Sequence, residues 1–298
     1  MTQRRCLLFA FDENYLWPGL VALDSAMRHS PTDVDVLVAS IGLAPESASR
    51  IQATCAAHRR RVDIIEAAEL VEGLPAGLPR FSPAAWTRVF LELIVPANVD
   101  RVVYLDGDNY TRRSLSALFD MDLSESVLAA VPDPWEPHHQ ARGPEFWRAA
   151  GSVPSSAYFN SGVMVVDMNA WRMKAVTPRV METLTEGAVP TRSVDQDALN
   201  AVLWRDWIPL DREWNLPGSS RRPDAARARV VHFIGDSKPW SVRSRVGPFQ
   251  REYRMAAKRV GWTFRARWNT PLKTVARSIA PVWLLERFRW WRTGRSEL

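Results

Sequence analysis

Cysteine is scarce in this chain, with only Cys6 and Cys55 among 298 residues. Two isolated cysteines form neither a disulfide framework nor a C-x-x-C metal pair. This excludes the small secreted domains and zinc modules that depend on such pairs. The usage fits a protein of the reducing cytoplasm, and we expect both thiols to be small buried side chains.

Long hydrophobic runs are also absent. No stretch approaches the roughly 18 apolar residues of a membrane-spanning helix. The first apolar run, Cys6–Phe11, has six residues before Asp12. Because a signal-peptide core needs roughly 7–15 apolar residues, we predict a buried strand there. The glycine-rich phosphate loops G-x-x-x-x-G-K-[ST] and G-x-G-x-x-G are missing too, which argues against P-loop and dinucleotide-binding domains.

Short apolar runs alternate with helix-like segments, the arrangement typical of an α/β sheet with helices on both faces. We predict strands at Leu7–Phe11, Val34–Ala39, Val62–Glu66, Val102–Leu105 and Val230–Phe233, and helices at Leu20–Arg28, Ala44–His58 and Ala84–Val95. The pattern continues through Leu115–Met121, Val127–Val131, Val163–Val166 and Asp195–Trp204. The segment Pro132–Pro154 is rich in Pro, Gly and His, which indicates a candidate lid or acceptor loop.

The strongest local feature is the pair Asp106-Gly-Asp108, which directly follows the predicted strand Val102–Leu105. Positions i and i+2 of an extended stretch point to the same side, so the two carboxylates can converge on one cation. The glycine between them lets the backbone approach a phosphate. Such oxygen ligands suit Mg²⁺ or Mn²⁺, although an ordinary acidic turn has the same sequence.

His232 follows the last predicted strand, and Lys238 comes six residues later with Gly235 between them. The histidine could be a third metal ligand, and the lysine could supply a point charge for phosphate. A core histidine beside a solvated lysine explains the same pattern.

Two more polar segments border predicted elements. Asn160-Ser-Gly162 reads as a polar turn that enters a buried strand. In Asp195-Gln196-Asp197, the first residue could cap a helix while the next two occupy its first turn. Each segment alone has this structural explanation, but their order along the chain is more specific.

Together these segments resemble glycosyltransferase family 8, the retaining nucleotide-sugar transferases with a GT-A fold. The resemblance runs from about residue 9 to 240. It rests on six ordered motifs: Phe9-Ala-Phe-Asp12-Glu-Asn14-Tyr15, Trp86-Thr-Arg88, Tyr104-Leu-Asp106-Gly-Asp108, Phe159-Asn160-Ser-Gly162, Asp195-Gln196-Asp197 and His232-Phe-Ile-Gly-Asp-Ser-Lys238-Pro-Trp240. It implies a Rossmann-like mixed sheet flanked by helices over residues 1–240, serving as a nucleotide-sugar-binding catalytic domain.

The resemblance also assigns roles to individual residues. Asp12, Asn14 and Tyr15 would hold the uracil and ribose of a UDP-sugar, with Tyr15 stacking on the base. Lys238 and the backbone of Gly235 would hold the diphosphate.

The implied metal ligands are Asp106, Asp108 and His232, with Mn²⁺ as the expected ion and Mg²⁺ as the alternative. The ion and a lysine would stabilise the charge that grows on the departing diphosphate.

The transferred hexose would be surrounded by Arg88, Asn160, Asp195 and Gln196. The anomeric carbon develops cationic character as its bond to UDP breaks. Gln196 has the position suggested for a covalent relay, but a carboxamide is a poor nucleophile. We therefore favour attack by the acceptor from the same face, with Gln196 stabilising the cation.

The expected activity is metal-dependent transfer of galactose or glucose from a UDP-sugar to an acceptor hydroxyl, with a lipid-linked or lipopolysaccharide glycan as acceptor. The Asp-Gly-Asp and His-Phe-Ile-Gly variants look more like those of galactinol synthase and glycogenin, so a soluble acceptor is an alternative. Self-glycosylation would leave Tyr253 as the candidate tyrosine. A nucleotide-sugar-binding protein without turnover is a further alternative.

Residues 241–298 differ in charge from the rest of the chain. They carry 14 lysines and arginines against three acidic residues, whereas residues 1–240 carry 25 against 30. Helix-like spacing at 271–292 is interrupted by Pro281, and the segment contains Trp268, Trp283, Trp290 and Trp291.

Tryptophan mixed with arginine suits a membrane interface, so we predict that 264–295 bind an anionic membrane surface at the cytoplasmic face. Packing of these tryptophans onto the body and binding of single-stranded nucleic acid are the alternatives, although no nucleic-acid partner is expected.

Overall fold

The computed structural model describes residues 4–74, 83–187, 189, 193–221, 223–235, 238–241 and 247–263. The predicted tail helix and the membrane-binding segment 264–295 lie outside these residues. Among the described residues, no helix is both long and apolar enough to cross a membrane.

Within the described part of the chain, ten strands form two sheets. They are β1 Arg5–Asp12, β2 Asp35–Ile41, β3 Asp63–Glu66, β4 Arg101–Leu105, β5 Asn109–Thr111, β6 Leu128–Pro132, β7 Phe159–Asp167, β8 Trp207–Pro209, β9 Leu216–Pro217 and β10 Val230–His232. The large sheet has the order β3-β2-β1-β4-β7-β6-β8, in which β7 runs antiparallel to both neighbours and the other pairs are parallel. The small sheet has the order β5-β10-β9. The predicted mixed α/β architecture is confirmed.

The described helices lie between and after these strands. They are α1 Leu16–Met27, α2 Pro45–Ala57, α3 Ala68–Glu72, α4 Pro83–Trp86, α5 Leu91–Ile94, α6 Ser116–Phe119, α7 Pro144–Ala149, α8 Met168–Met173, α9 Val176–Thr185, α10 Val194–Leu203, α11 Asp224–Arg227 and α12 Gln250–Arg259. Short 3₁₀ turns occur at Glu13–Tyr15, Thr87–Val89, His139–Arg142, Arg212–Asn215 and Gly247–Phe249.

The large sheet is buried on both faces, which explains why its strands read as continuous apolar runs. Along β1, Cys6, Leu8 and Ala10 join one hydrophobic cluster, while the alternating residues Leu7, Phe9 and Phe11 join the other. Cys6 is therefore core, as expected, and Cys55 is likewise buried on α2. Burial raises the pKa of the Cys55 thiol to about 12, so this thiol stays protonated at neutral pH.

Three details differ from the sequence predictions. The segment predicted as one helix, Ala84–Val95, is split into α4, a 3₁₀ turn and α5. One reason is that the Thr87 hydroxyl donates to the Ala84 carbonyl at 2.7 Å, competing with the regular helical hydrogen bonds. The segment Pro132–Pro154 contains α7, which Pro144 opens at its first position. The α10 helix is capped at Ser193, so Asp195 lies in its first turn instead of capping it.

The α12 helix packs on the body of the protein, beyond the residue at which we divided the chain. Its Tyr253 ring is fully buried. The centroid of this ring lies 5.1 Å from the Phe233 ring centroid and 5.6 Å from the Trp240 ring centroid. The Arg112 guanidinium binds Glu252 of α12 through two hydrogen bonds of 2.7 and 3.0 Å. The predicted division of the chain at residue 240 stays a prediction. The α12 helix packs on the part of the chain that precedes this boundary.

A buried histidine stabilises the segment between β6 and β7. The His139 ring is 0% exposed and packs edge-on against Phe146 and Tyr158. The Ser152 hydroxyl donates to the Trp147 carbonyl at 3.2 Å. His139 Nδ1 lies 2.7 Å from the same hydroxyl oxygen. Burial lowers the pKa of the ring, which is therefore neutral at pH 7.

This neutral ring makes folding sensitive to acid. Burial, with the charges of Arg142 and His138, lowers the pKa of His139 to about 4, whereas an unfolded histidine titrates near ~6.5. As pH falls through that interval, the unfolded chain binds a proton that the native chain excludes, so the free energy of unfolding decreases. We expect the wild type to lose up to roughly 2 kcal/mol relative to His139→Asn between pH 7 and 4.5. Urea unfolding of both proteins at the two pH values measures this, and a pH-independent difference would contradict it.

Candidate active site

The site lies where the two sheets meet. Strand β4 ends at Leu105, and the Asp106 amide donates to the Gly162 carbonyl of β7 at 3.0 Å. Three residues after Asp106 β5 begins, and its Asn109 is directly opposite His232 of the antiparallel strand β10. The ends of β4 and β10 and the middle of β7 are thereby brought to one point.

Asp106, Asp108 and His232 converge there, as predicted. One ligand atom from each lies within 4.8 Å of the other two. His232 Nε2 is 3.1 Å from Asp108 Oδ1 and 3.7 Å from Asp106 Oδ2. An octahedral ion with ligands at about 2.1 Å separates adjacent ligand atoms by about 3 Å, so the three residues fit a divalent cation with little movement. Two carboxylates and one imidazole are a donor set that suits Mn²⁺ or Mg²⁺.

Lys238 is the positive charge beside these carboxylates. Its ammonium donates to Asp108 Oδ2 and, at 2.6 Å, to the Phe233 carbonyl. Burial alone would raise the pKa of Asp108, but the neighbouring His232 and Lys238 hold it well below its usual range. Burial would lower the pKa of Lys238, but Asp108 raises it. The ion pair therefore persists across the physiological range of pH.

A buried arginine connects the carboxylates to the neighbouring wall. The Arg88 guanidinium donates to Asp106 Oδ1 and to the Ser161 hydroxyl, both at 2.7 Å, and its Nε is 3.1 Å from Asp195 Oδ2. Burial opposes the charge on Arg88, but Asp106 and its other anionic neighbours hold the pKa above the ordinary value. Burial raises the pKa of Asp195.

The Gln196 amide is held at both ends. Its oxygen accepts from the Ser161 amide at 3.0 Å and from the Ser161 hydroxyl at 3.3 Å. Its nitrogen donates at 3.3 Å to Asp133 Oδ2 and at 3.3 Å to the Tyr158 hydroxyl. The side chain therefore presents a fixed amide plane to the site.

Two buried amide side chains, Asn160 and Asn215, connect the Gly162 backbone to the His232 ring. Asn160 Oδ1 accepts from the Gly162 amide at 3.1 Å and from Asn215 Nδ2 at 2.8 Å. Asn215 Oδ1 is 2.9 Å from His232 Nδ1. Sequence reasoning missed Asn215, because the surrounding Glu-Trp-Asn-Leu-Pro has neither periodicity nor a motif. It also missed Ser161 as a contact of both Arg88 and Gln196.

A cavity of about 170 Å³ opens among these groups. Eight of the twelve predicted site residues line it: Arg88, Asp106, Asp108, Asn160, Asp195, Gln196, His232 and Gly235. A larger cavity of about 420 Å³ is lined by Asp211, Arg212, Glu213, Leu216, Asp224 and Arg227. Two ion pairs form at this cavity, Arg212 with Asp224 and Glu213 with Arg229, and none of the predicted site residues lines it.

Four of the predicted nucleotide-binding residues do not line the cavity of about 170 Å³: Asp12, Asn14, Tyr15 and Lys238. Tyr15 meets Trp240 edge-on at 6.3 Å, and both rings lie 6.0 Å from the Lys238 ammonium. Asp12 accepts from the Tyr15 amide at 2.9 Å and thereby caps the 3₁₀ turn. Asn14 is exposed. The roles of Asp12 and Asn14 in holding uracil and ribose stay predictions.

The segment predicted as a lid or acceptor loop has mixed exposure. Trp135 is 59% exposed, and its amide donates to Asp133 Oδ1 at 3.1 Å. Asp133 Oδ2 also accepts from Gln196, which lines the cavity. Asp133 thus contacts both the Trp135 backbone and the cavity wall. His139 is fully buried and cannot contact an acceptor without rearrangement. Acceptor selection by the segment Pro132–Pro154 stays a prediction, and the His139 ring is part of the core.

Comparisons with known proteins agree with this geometry. The family model "Glycosyl transferase family 8" matches residues 6–243. General stress protein A of Bacillus subtilis (strain 168) is 26% identical over 239 residues, covering 74% of this chain and 81% of that protein. Lipopolysaccharide 1,3-galactosyltransferase of Salmonella typhimurium (strain LT2) is 25% identical over 246 residues, covering 78% and 72%.

Among solved structures, galactosyltransferase LgtC in complex with donor and acceptor sugar analogues superposes with a TM-score of 0.71 at 23% identity, covering 88% of this chain and 98% of that one. This likeness confirms the expected GT-A fold. With four-fifths of its length matched by the family model, the chain belongs to glycosyl transferase family 8.

Proposed function

We propose that this protein transfers a hexose, galactose or glucose, from a UDP-sugar to an acceptor hydroxyl with retention of configuration. The observation that carries the proposal is the convergence of Asp106, Asp108 and His232 beside the Lys238 ammonium in a family 8 chain. Two carboxylates, an imidazole and a lysine are the groups that a metal-bound diphosphate requires.

In this proposal the three residues would hold Mn²⁺, or Mg²⁺ in its place, and the ion would supply positive charge for the departing diphosphate. Lys238 exchanges its contact with Asp108 for a phosphate oxygen, and Gly235, at φ +73° with open space above its Cα, lets the backbone approach the diphosphate. Tyr15 provides a ring face for the uracil, while Asp12 and Asn14 contact the nucleoside.

The hexose occupies the cavity between Arg88, Asn160, Asp195 and Gln196. Asp195, whose carboxylate lies 3.1 Å from Arg88 Nε, is placed near the anomeric centre, where positive charge develops. Both hydrogen bonds to the Gln196 oxygen come from Ser161, which further weakens an already poor nucleophile. This supports same-face attack by the acceptor hydroxyl, with the Gln196 dipole stabilising the cation.

A lipopolysaccharide or lipid-linked glycan is the acceptor that we favour, since the Salmonella relative is named for that activity. A soluble acceptor, as in glycogenin or galactinol synthase, is the second candidate on the Asp-Gly-Asp motif. Self-glycosylation at Tyr253 is disfavoured because that ring is fully buried.

The first prediction concerns the metal and the donor. With Mn²⁺ we expect slow UDP release from UDP-glucose or UDP-galactose but not from the N-acetyl forms. We expect EDTA to stop the release and added Mn²⁺ to restore it. Asp106→Asn/Asp108→Asn should lower the rate at least about 100-fold, because the leaving diphosphate loses its counter-charge. A coupled assay for UDP measures each rate.

The matched control is Asp120→Asn/Asp122→Asn, an exposed pair with the same spacing. It should leave the rate unchanged. UDP binding without release from any donor, tested with candidate acceptors present, would favour the alternative of a binding protein without turnover. Absent UDP binding would contradict the proposal as a whole.

The second prediction separates the two roles of Lys238. The Lys238 ammonium contacts the Asp108 carboxylate, so it would compete with a metal ion for this ligand. In the donor complex it would bind phosphate instead. Lys238→Ala should therefore bind Mn²⁺ alone more tightly than wild type and bind UDP about 10-fold more weakly. Isothermal titration with Mn²⁺, and then with UDP at saturating Mn²⁺, measures both changes. Parallel weakening of both ligands would contradict this assignment.

We also propose that residues 264–295 attach the protein to the anionic inner face of the membrane, in keeping with the basic excess after residue 240. Binding to vesicles containing phosphatidylglycerol should fall strongly between 50 and about 300 mM salt, where screening shortens the reach of surface charges. Sedimentation with these vesicles, with neutral vesicles and with RNA measures it. Salt-insensitive binding, or stronger binding to RNA, would argue against the proposal.

A further inference from the structure

We propose that Asn215 is a positioning residue that fixes both the orientation and the tautomer of His232 for the metal ion. This inference rests on the proposed metal-dependent function and concerns a residue that touches none of the reacting groups. Asn215 is 2% exposed and stands at the end of the 3₁₀ turn Arg212–Asn215, directly before β9.

The orientation of each amide follows from one unambiguous donor. The Gly162 N–H can only donate, so the Asn160 atom 3.1 Å away is its oxygen. Asn160 therefore turns its nitrogen toward the Asp133 carboxylate at 3.3 Å, which can only accept while ionised. The Gly162 N–H and the Asp133 carboxylate therefore require the same orientation of the Asn160 amide.

The orientation of Asn160 determines that of Asn215, which in turn determines the protonated nitrogen of the His232 ring. Because Asn160 offers an oxygen, Asn215 must present its NH₂ group at 2.8 Å. Its own oxygen then faces His232 Nδ1 at 2.9 Å, so Nδ1 must carry a proton. In a neutral imidazole this leaves the lone pair on Nε2, the atom that faces Asp106 and Asp108. The amide chain thus selects the tautomer that can bind a metal.

Gly162 supplies the space for this ring. A Cβ at that position would lie 2.2 Å from His232 Cε1 and 2.9 Å from Asp106 Oδ2. The imidazole is therefore confined between the backbone of β7 and the Asn215 amide. A neutral partner on Nδ1 also avoids a third carboxylate beside the two that bind the ion.

The test measures Mn²⁺ affinity by electron paramagnetic resonance of the free ion, without nucleotide and with saturating UDP. Asn215→Ser cannot reach the ring and should weaken Mn²⁺ binding about 10–100-fold, the range typical for lost partners of metal-bound histidines. Asn215→Leu, which has the same number and branching of side-chain heavy atoms as asparagine but no polar atom, serves if the serine variant fails to fold. Asn215→Asp keeps an acceptor for Nδ1–H but loses the donor to Asn160 Oδ1, so it should bind Mn²⁺ more tightly than Asn215→Ser or Asn215→Leu.

Asn200→Ser is the matched control. Asn200 is also fully buried, but it hydrogen-bonds the backbone of Phe159 and Gln196 and does not contact His232. This variant should lose stability while keeping Mn²⁺ affinity within about 3-fold of wild type.

Wild-type Mn²⁺ affinity in Asn215→Ser or Asn215→Leu would overturn the positioning role. So would an equal loss in Asn200→Ser, because the effect would then be general loosening. If wild type itself binds no Mn²⁺, with or without UDP, the proposed metal centre fails, and the positioning role fails with it.

Discussion

The pairing of β10 with β5 is the contact on which the site depends. Only three residue pairs form this ladder, and the last of them sets His232 opposite Asn109, one residue from Asp108. Because side chains alternate between the two faces of a strand, a slip of one residue would turn the imidazole away from both carboxylates. Asp106 directly follows β4 of the large sheet, whereas His232 ends β10 of the small sheet, so the cluster forms only when the two sheets are packed together.

The sequence contains four Asp-x-Asp pairs, at residues 33/35, 106/108, 120/122 and 195/197. Periodicity alone favours the second pair, since it follows a buried strand. The family resemblance then adds a histidine 124 residues later in the chain, which the fold brings within 3.1 Å of Asp108. The mixed α/β architecture, most element positions and the cluster around the cavity could be anticipated in this way. What made them predictable was local pattern combined with motif order.

The remaining features depend on tertiary contacts that leave no local pattern. Asn215 acts through two side chains far away in sequence, and nothing in its neighbourhood distinguishes it from an ordinary loop residue. The division of Ala84–Val95 into short pieces is another example. Regular helix propensity would favour one continuous helix, but the buried hydrogen bonds of Thr87 and Arg88 stabilise tighter local turns.

The position of α12 has a practical consequence for protein engineering. Its Tyr253 lies against Phe233 and Trp240, and Trp240 in turn meets the Tyr15 ring. A truncated protein that ends at residue 240, where the basic composition begins, would expose this aromatic layer to water and remove the support behind the Trp240 and Tyr15 rings. A shortened protein for crystallisation or assays should therefore keep α12 and extend at least to residue 263.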